Sequence, residues 1–341
     1  MKGFRVSPSM GVLIVLLLLT AFGGLRYDGF LGAYNVESVF RYNSMFGLVS
    51  LGMCFVIMTG GIDLSVGAVA AVSSVVAAYA SPYGLLAGVA AGLGTGLIAG
   101  LINGFVVTKM KILPFIGSLA TMLAASGTAL LLANNQSVSV SYDNNFTALG
   151  QGELLSFIRP AWVDAPDAGW LGGALGLFLG FPTPAWIAAL AYVVGATVLG
   201  YTPFGRHVLA VGGGAEASRL MGLPVDRTIF SVYLISGACA GMAGVILASQ
   251  FGAGQPIEGV GWELFSIASV VVGGTLLTGG QGSIGGTLAG AMLLGLIFNI
   301  LNFENGMGWI SLSAYWQSVV RGLFLFVVVV MQARLFRRAR F

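Results

Sequence analysis

Charged side chains are scarce in this sequence. They make up 8% of its 341 residues, whereas 57% of the residues are hydrophobic, and the mean hydropathy is +0.93. A soluble domain usually carries about 25% charged residues. A chain with so few charges cannot keep its folded surface in water. The composition therefore excludes an ordinary soluble domain and predicts an integral protein of the lipid bilayer.

Residue types that carry chemistry are also few. The two cysteines, Cys54 and Cys239, lie inside apolar runs and are interpreted as core residues, not as a disulfide or metal ligands. The one histidine, His207, follows Arg206 and is interpreted as an interfacial residue. No Ser-His-Asp set, Cys/His cluster or phosphate-binding loop occurs. The sequence thus predicts no enzyme active site, bound metal, cofactor or nucleic-acid partner, and any ATP must be hydrolysed by another chain.

The sequence also lacks short segments in which hydrophobic and polar residues alternate. A membrane barrel predicts segments of about 10 residues with alternating hydrophobicity, but here the apolar runs are longer and continuous, which indicates helices that satisfy their own backbone groups. The 53 glycines suit close packing of membrane helices. The expected fold class is an all-α, polytopic helical bundle forming one transmembrane domain, 1–341.

Ten apolar segments approach the roughly 20 residues that a span requires. They are 10–25, 44–59, 64–81, 84–108, 112–133, 185–201, 228–250, 265–278, 284–302 and 314–333. The first resembles a signal peptide because it follows Lys2 and Arg5, but a retained span is preferred since the rest of the chain is embedded too.

The positions of the basic residues test this topology. With both termini in the cytoplasm, the inner loops hold eleven lysines and arginines and the outer loops hold three, with Arg321 inside the last span. This excess is what the positive-inside rule requires. Two loops are long: an outer, periplasmic segment, 134–184, in which the stretch 170–181 is either re-entrant or interfacial, and a cytoplasmic loop, 202–227.

Two glycine motifs echo each other. "TGGIDLSVG" begins at Thr59 and "TGGQGSIG" begins at Thr278. Gly-interrupted apolar segments in corresponding halves of a chain point to a transport site. Paired glycines tolerate positive φ and weaken a helix, so a broken helix is expected at each motif.

Asp63 and Ser65 of the first motif have two interpretations. In one they cap the helix that begins near Leu64, with Ser283 capping the helix after the second motif. In the other, Asp63 faces the transport pathway and binds a substrate hydroxyl or a coupling ion. The two roles are compatible.

Four stretches carry a family resemblance. "GMCFVIMTGGIDLSVGAV", "GLINGFVVTKMKILPFIGSLATM", "VGGGAEASRLMGLPV" and "SIASVVVGGTLLTGGQGSIGGTLAG" resemble the ribose-type sugar permeases of bacterial ABC importers, from about Ser38 to Gln332. The tail "LNFENGMGWISLSAYWQSVVRGLFLF" is most similar to the galactofuranose subgroup. The resemblance implies a subunit of the bacterial inner membrane that works with a cytoplasmic ATPase, a periplasmic sugar-binding protein and a second permease, identical or paralogous.

The cytoplasmic loop is similar to the "EAA…G" loop through which such permeases dock on the ATPase. The matching residues are Glu216, Ala217, Ser218, Arg219 and Gly222, with Ser218 in place of the second alanine. A short helix over 215–221, ended by Gly222 and Pro224, suits a rigid coupling element. The alternative is an ordinary basic inner loop.

Polar residues inside spans are costly and usually face the interior. On this basis, the candidates for the sugar path are Asp63, Ser65, Asn103, Thr121, Thr275, Gln281, Ser283, Asn299 and Asn302. Trp316 and Tyr315 either stack on a sugar or anchor the interface. Arg321 either snorkels outward or binds sugar hydroxyls or Glu304.

Two other function classes are weighed against the permease. A secondary transporter would use Asp63 to bind a coupling proton or cation, and its uptake would collapse with an ionophore. An embedded enzyme would need a second carboxylate or a histidine near Asp63, and the neighbouring sequence supplies neither.

Overall fold

A computed structural model describes residues 8–160, 163, 169–307, 316, 319, 322–323 and 326. Within this part of the chain the secondary structure is almost entirely helical. The helices are α1 (Pro8–Arg26), α2 (Ala33–Met58), α3 (Val66–Ala80), α4 (Leu85–Thr108), α5 (Pro114–Leu132), α6 (Ala148–Gln151), α7 (Gly169–Leu179), α8 (Thr183–Tyr201), α9 (Pro203–Gly213), α10 (Ala215–Leu220), α11 (Val225–Phe251), α12 (Trp262–Val272) and α13 (Ile284–Met307).

Helix α11 lies at the centre of the bundle and packs against α2, α3 and α4. The end of α2, Met53–Met58, is enclosed on all sides, with every side chain at most 1% exposed. Between membrane helices, association depends on close van der Waals packing because lipid tails are as apolar as the side chains themselves. The densely packed α2–α3–α4–α11 group is therefore the core that positions the rest of the bundle.

A glycine seam joins α4 to α11. Glycines at every fourth position of α4 lie on one face: Gly88, Gly92, Gly96, Gly100 and Gly104. A Cβ added at Gly96 would overlap the backbone of Gly237 and Gly241, and a Cβ at Gly237 would overlap the backbone of Gly96. The two helices thus meet backbone to backbone.

A second group of helices covers the other side of α2. Helices α12 and α13 pack against each other and against α2, α1 packs on α13, and α8 packs on α2. Aromatic rings make part of this contact: the Phe46 ring centroid lies 4.8 Å from that of Trp262 and 4.5 Å from that of Phe265. This side of the bundle is held by side chains, unlike the glycine seam.

The long segment 134–184 lies at one end of the bundle. Its strand β1 (Val138–Ser139) pairs antiparallel with β2 (Ala253–Gly254), which follows α11. Arg41 near the start of α2 donates to the Gly150 carbonyl in this segment at 2.7 Å. The stretch predicted as re-entrant or interfacial contains α7, which at 11 residues is too short to cross a bilayer.

The chain is a multi-pass, all-α membrane protein, as predicted. By length and composition, seven described helices can cross a membrane: α2, α3, α4, α5, α8, α11 and α13. The shorter apolar helices α1 and α12 match two more predicted spans, and the tenth, 314–333, lies almost entirely outside the described residues. Helix α2 begins at Ala33, well before the predicted residue 44. The early turns were missed because Glu37 and Arg41 lower the average hydropathy of this stretch.

Candidate functional site

The first glycine motif is a buried interruption between α2 and α3. Gly60 adopts φ +83°, and its N–H donates to the Ile57 carbonyl at 2.8 Å, which closes the end of α2. Gly61 leaves room for the Tyr233 hydroxyl, which would lie 2.9 Å from an added Cβ. The predicted break in helical geometry is confirmed here.

The Asp63 carboxylate is 1% exposed and accepts four hydrogen bonds. Its Oδ1 accepts from the Ser65 backbone N–H (3.0 Å), the Ser65 hydroxyl (2.6 Å) and Asn103 Nδ2 (3.3 Å), and its Oδ2 accepts from the Ser236 hydroxyl (2.8 Å). Asn103 Nδ2 also donates to Ser65 Oγ at 2.9 Å, and the Thr121 hydroxyl donates to Asn103 Oδ1 at 2.6 Å.

This network joins four elements: the start of α3, α4, α5 and α11. Hydrogen bonds to a charged acceptor are stronger than neutral ones, and a buried carboxylate requires them. The enclosure of Asp63 supports the structural interpretation, and its role on the path stays a prediction. The prediction that Ser65 caps α3 is wrong, because its side chain makes no cap bond and donates to Asp63 instead.

The backbone of the first motif is also held from α5. The Ser118 hydroxyl accepts from the Leu64 N–H at 3.1 Å and donates to the Pro114 carbonyl at 2.8 Å. Ser118 is 1% exposed, so this bond lies in the bundle interior. It gives the non-helical N–H of Leu64 a protein partner, which backbone groups inside a membrane require.

The second glycine motif forms the irregular connection between α12 and α13. Ser283 Oγ accepts from the Gly286 N–H at 3.0 Å, so the predicted cap of α13 is confirmed. Thr275 is fully buried, and its Oγ1 accepts from the Ser283 N–H at 3.3 Å. Gln281 is exposed, and its backbone carbonyl accepts from Leu276 at 3.1 Å.

The two motifs touch each other. The Gly280 N–H donates to the Met58 carbonyl at 3.0 Å, and Gly279 and Gly280 have φ of +80° and +79°. Gly212 of α9 covers this contact so closely that an added Cβ would overlap both the Met58 carbonyl and the Gly280 nitrogen. Helix α9 therefore contacts the second motif and Met58, the residue directly before the first motif.

A pocket of about 810 Å³ lies between the first half of α2, the start of α12 and the last half of α13. Its polar lining includes Ser38, Asn43, Glu258, Asn299 and Asn302, and its aromatic lining includes Tyr34, Tyr42, Phe46, Trp262, Phe265 and Phe298. The bond from Arg41 to Gly150 places it at the end of the bundle where β1 and β2 lie.

The predicted path residues fall into separate places. Asp63, Ser65, Asn103 and Thr121 form the buried network, Thr275, Gln281 and Ser283 belong to the second motif, and Asn299 and Asn302 line the pocket. Of the remaining candidates, Trp316 is 60% exposed, and Tyr315 and Arg321 lie outside the described residues.

Glu304, the predicted alternative partner of Arg321, accepts from the Tyr27 hydroxyl at 2.5 Å. Burial, together with this hydrogen bond and the nearby carboxylate charge, raises the pKa of the Tyr27 hydroxyl, which thus stays protonated and acts as donor. The contact attaches the end of α1 to α13.

The loop predicted to couple to an ATPase contains α9 and α10, and α10 ends before Gly222, which has φ +81°. Arg219 pairs with Glu216 (2.8 Å) and with Asp226 at the start of α11 (3.3 Å). Asp226 also pairs with Lys111 from the α4–α5 turn at 3.0 Å. Ser218 is 1% exposed and therefore faces inward, while Ala217 belongs to the same short helix.

Nothing in the sequence indicates the roles of several residues at these sites. Ser236 is one more polar residue in an apolar helix, and Gly212 is one of three successive glycines. Trp262 and Phe46 become pocket residues only because α2 and α12 pack together. Contacts over such long sequence separations arise from tertiary packing, which spacing along the chain does not encode.

Comparisons with known proteins agree with the architecture. Residues 35–329 match the family model described as branched-chain amino acid transport system / permease component. The ribose import permease of Bacillus subtilis is 35% identical over 97% of this chain and 93% of that protein. The L-arabinose transport system permease of Escherichia coli is 35% identical (96% and 90%), and the fructose import permease of Bifidobacterium longum is 30% identical (97% and 93%). No solved structure gives a significant match.

Proposed function

The chain belongs to this family of transport permease components, and from that premise we propose that it is the membrane-spanning subunit of an ATP-driven importer of a neutral monosaccharide. Galactofuranose and ribose-like sugars are the first candidates. The proposal places the chain in the bacterial inner membrane with both termini in the cytoplasm, and opens the pocket toward the periplasm.

The observation that carries the proposal is the lining of the pocket. Its volume of about 810 Å³ is within the usual range for small-molecule sites, which combine apolar and aromatic walls with a few polar groups. Aromatic faces such as those of Phe46 and Trp262 suit the C–H faces of a sugar ring. The carboxamides of Asn43 and Asn302 supply both donors and acceptors for hydroxyl groups.

The same lining argues against an amino acid as cargo, although the family description names branched-chain amino acids. Among the described lining residues, Glu258 is the only charged side chain. It suits an ammonium group, but a zwitterion also carries a carboxylate, and leaving that charge unpaired on desolvation is costly. The named sugar permeases, similar over more than 90% of this chain, support a neutral sugar.

The proposed importer needs an energy source and partner proteins from other chains. Its sequence contains no phosphate-binding loop, so the proposal assigns ATP hydrolysis to a cytoplasmic ATPase that docks on α10. A periplasmic binding protein delivers the sugar to the end that carries β1 and β2. A second permease, identical or paralogous, completes the membrane part.

Reconstitution of the complex isolated from its native host tests this function. Proteoliposomes containing ATP and the binding protein are offered radiolabelled galactofuranose, ribose, L-arabinose, fructose and leucine. We expect ATP-dependent accumulation of one of the sugars. Uptake of leucine alone would replace the sugar assignment, and uptake driven by a proton gradient without ATP would establish a secondary transporter.

A matched pair of variants ties transport to the pocket. Asn302 lines the pocket, whereas Asn305 is exposed one turn further along α13 and does not line it. Loss of one hydrogen bond, worth about 0.5–1.5 kcal/mol, should make Asn302→Leu raise the apparent KM for sugar several-fold. Asn305→Leu should leave KM unchanged. Equal effects of the two substitutions would remove the pocket from the path.

A further inference from the structure

One side chain of the pocket between α2, α12 and α13 is both polar and almost completely buried. Asn43 on α2 lines the pocket and is 8% exposed. Its Nδ2 donates to the Val39 carbonyl, one turn earlier in α2, at 2.8 Å. A carbonyl only accepts, so the amide nitrogen must face Val39. Among the residues that the structure describes, none donates to the remaining atom, Oδ1.

Gly295 of α13 is the seat of this amide. A Cβ added at Gly295 would overlap Oδ1, Cγ and Nδ2 of Asn43 together. The amide thus occupies the space that a side chain at position 295 would take. Since its nitrogen is also held by Val39, the position of Oδ1 is set by two helices, α2 and α13.

Asn43 lies toward the inner end of the pocket. The innermost lining residues are Phe46 on α2, Ala268 on α12 and Leu294 on α13, and all three are apolar. In the described lining, Asn43 is the last polar residue along α2, and α13 contributes no polar side chain before Asn299. Oδ1 of Asn43 is therefore a single acceptor beside apolar walls.

A second amide of the lining, that of Asn299, is already engaged. Asn299 Nδ2 donates to Asn35 Oδ1 at 2.8 Å, and Asn35 Nδ2 donates to Asn299 Oδ1 at 3.2 Å. This reciprocal pair joins α2 to α13 about 12 Å further out along α2 than Asn43, at 1.5 Å per residue. Asn299 is thus a weaker candidate for a sugar ligand than Asn43.

The chemistry of this acceptor defines what it can bind. A buried acceptor without a donor is costly, so Oδ1 favours a ligand that donates a hydrogen bond. A hydroxyl group donates, whereas an ether oxygen, a carbonyl oxygen or a fluorine does not. An ammonium group also donates, but it would bring an uncompensated charge to the apolar end of the pocket. A neutral hydroxyl compound fits best.

We propose that Asn43 is the specificity-determining residue of the pocket, and that its Oδ1, seated on Gly295, accepts a hydrogen bond from one hydroxyl group of the incoming sugar. This inference rests on the proposed function. It adds that the pocket selects for a hydroxyl group at one position of the sugar and disfavours the deoxy sugar that lacks it.

Transport of deoxy sugars tests this contact. The complex is reconstituted with ATP and its binding protein. The value of kcat/KM is measured for the sugar that wild-type vesicles accumulate and for each of its monodeoxy analogues, such as 2-deoxy-D-ribose and 5-deoxy-D-ribose if D-ribose is the cargo. Each variant is compared with wild type on the same sugar, so the selectivity of the binding protein cancels.

Asn43→Leu should lower kcat/KM for the parent sugar by about tenfold, which corresponds to the loss of one hydrogen bond. The same loss should appear with all but one of the deoxy analogues. For the analogue that lacks the partner hydroxyl, variant and wild type should be equal, because no contact remains to be lost. A fluorine at that position does not donate, so the fluoro analogue should behave like the deoxy sugar.

Gly295→Ala provides an independent variant. It keeps Asn43 but displaces the amide from its seat, so it should reproduce the pattern and carries the test if Asn43→Leu does not fold. Gly127→Ala is the control, because nothing lies within 4 Å of its added Cβ and α5 does not line the pocket. It should change kcat/KM for none of the sugars. Melting temperatures report folding.

Three results would contradict the inference or its premise. Equal losses for every analogue would assign Asn43 a packing role, and the absence of any loss would remove it from the path. A fluoro analogue that behaves like the parent sugar would show donation by the amide nitrogen and overturn the assignment of Oδ1. Wild-type vesicles that accumulate none of the sugars would remove the proposed function together with this inference.

Discussion

The N–H of Gly280 donates to the carbonyl of Met58 at 3.0 Å, and this bond joins the second glycine motif to the residue before the first. The two motifs are separated by more than 200 residues of sequence. The first motif lies between α2 and α3 and the second between α12 and α13, and a backbone N–H of the second is satisfied by a carbonyl at the end of α2. The internal echo of the sequence is therefore a physical contact, and α9 is packed over it.

Gly212→Ala tests that contact. Its Cβ would overlap the Met58 carbonyl and the Gly280 nitrogen, so α9 must move away from the motifs at an overpacking cost of about 1–3 kcal/mol. We expect a lower melting temperature in detergent and a lower transport rate per folded molecule. Gly213→Ala is the matched control, because nothing lies within 4 Å of its added Cβ. Indistinguishable variants would show that the close approach is unimportant.

Substitutions of Asp63 separate a structural role from a role on the path. Asp63→Ala leaves the Ser65 N–H, the Ser65 hydroxyl and the Ser236 hydroxyl without their acceptor, and each buried unsatisfied group costs about 1–3 kcal/mol. It should strongly reduce the amount of folded protein. Asp63→Asn keeps one acceptor oxygen and offers an amide to the Ser236 hydroxyl, so it should be milder.

Transport per folded molecule is the decisive measurement for the asparagine variant. We expect it to be retained, with a lowered melting temperature. Asp28→Asn, at an exposed carboxylate, controls for the loss of a negative charge. A fully stable Asp63→Asn protein that no longer transports would instead place the charge of Asp63 in the transport step.

The glycine seam predicts opposite outcomes for two alanine substitutions in α4. Gly96→Ala would push α4 away from Gly237 and Gly241 and should cost about 1–3 kcal/mol. Gly94→Ala meets nothing within 4 Å, and alanine is favoured in helices by up to about 1 kcal/mol. Thermal unfolding in detergent should therefore rank Gly94→Ala at or above wild type and Gly96→Ala below it. The reverse order would contradict the packing described for this pair of helices.

Ser218 offers a test of the coupling loop. Its hydroxyl is buried and has no hydrogen-bond partner among the described residues, so Ser218→Ala should keep or raise stability by up to about 1 kcal/mol and leave ATPase binding unchanged. Ser218→Asp would bury a charge and should unfold the loop. A loss of bound ATPase in the alanine variant would return the hydroxyl to the interface, as the sequence motif suggests.

Local features of the fold were predictable from sequence because they depend on neighbouring residues. Apolar runs set the helical segments, paired glycines set the breaks at Gly60 and Gly279, and a serine three residues before Gly286 sets the α13 cap. The limits appear where polar residues enter a helix. The first turns of α2 contain Glu37 and Arg41, and Arg41 makes a tertiary contact with the Gly150 carbonyl that a hydropathy average does not detect.

The site was less predictable because its partners are distant in sequence. Asp63 and Ser236 are 173 positions apart, and nothing near either residue indicates the pairing. The Ser65 hydroxyl was expected to cap α3, but it donates to the Asp63 carboxylate instead. The pocket, likewise, exists only where α2, α12 and α13 converge. Selecting polar residues within apolar segments found members of the Asp63 network, the second motif and the pocket. It did not show which of these residues contact each other.

The glycine seam has a consequence for how this protein can change over generations. At Gly96 and Gly237 every other amino acid introduces a Cβ that overlaps the opposite backbone. No single substitution at either position therefore preserves the packing of α4 against α11. A compensating substitution across the seam is unavailable too, because the obstructing atoms belong to main chain. Substitutions in α4 are therefore tolerated best on the opposite face, around open positions such as Gly94, whereas any substitution at Gly96 forces α4 away from α11.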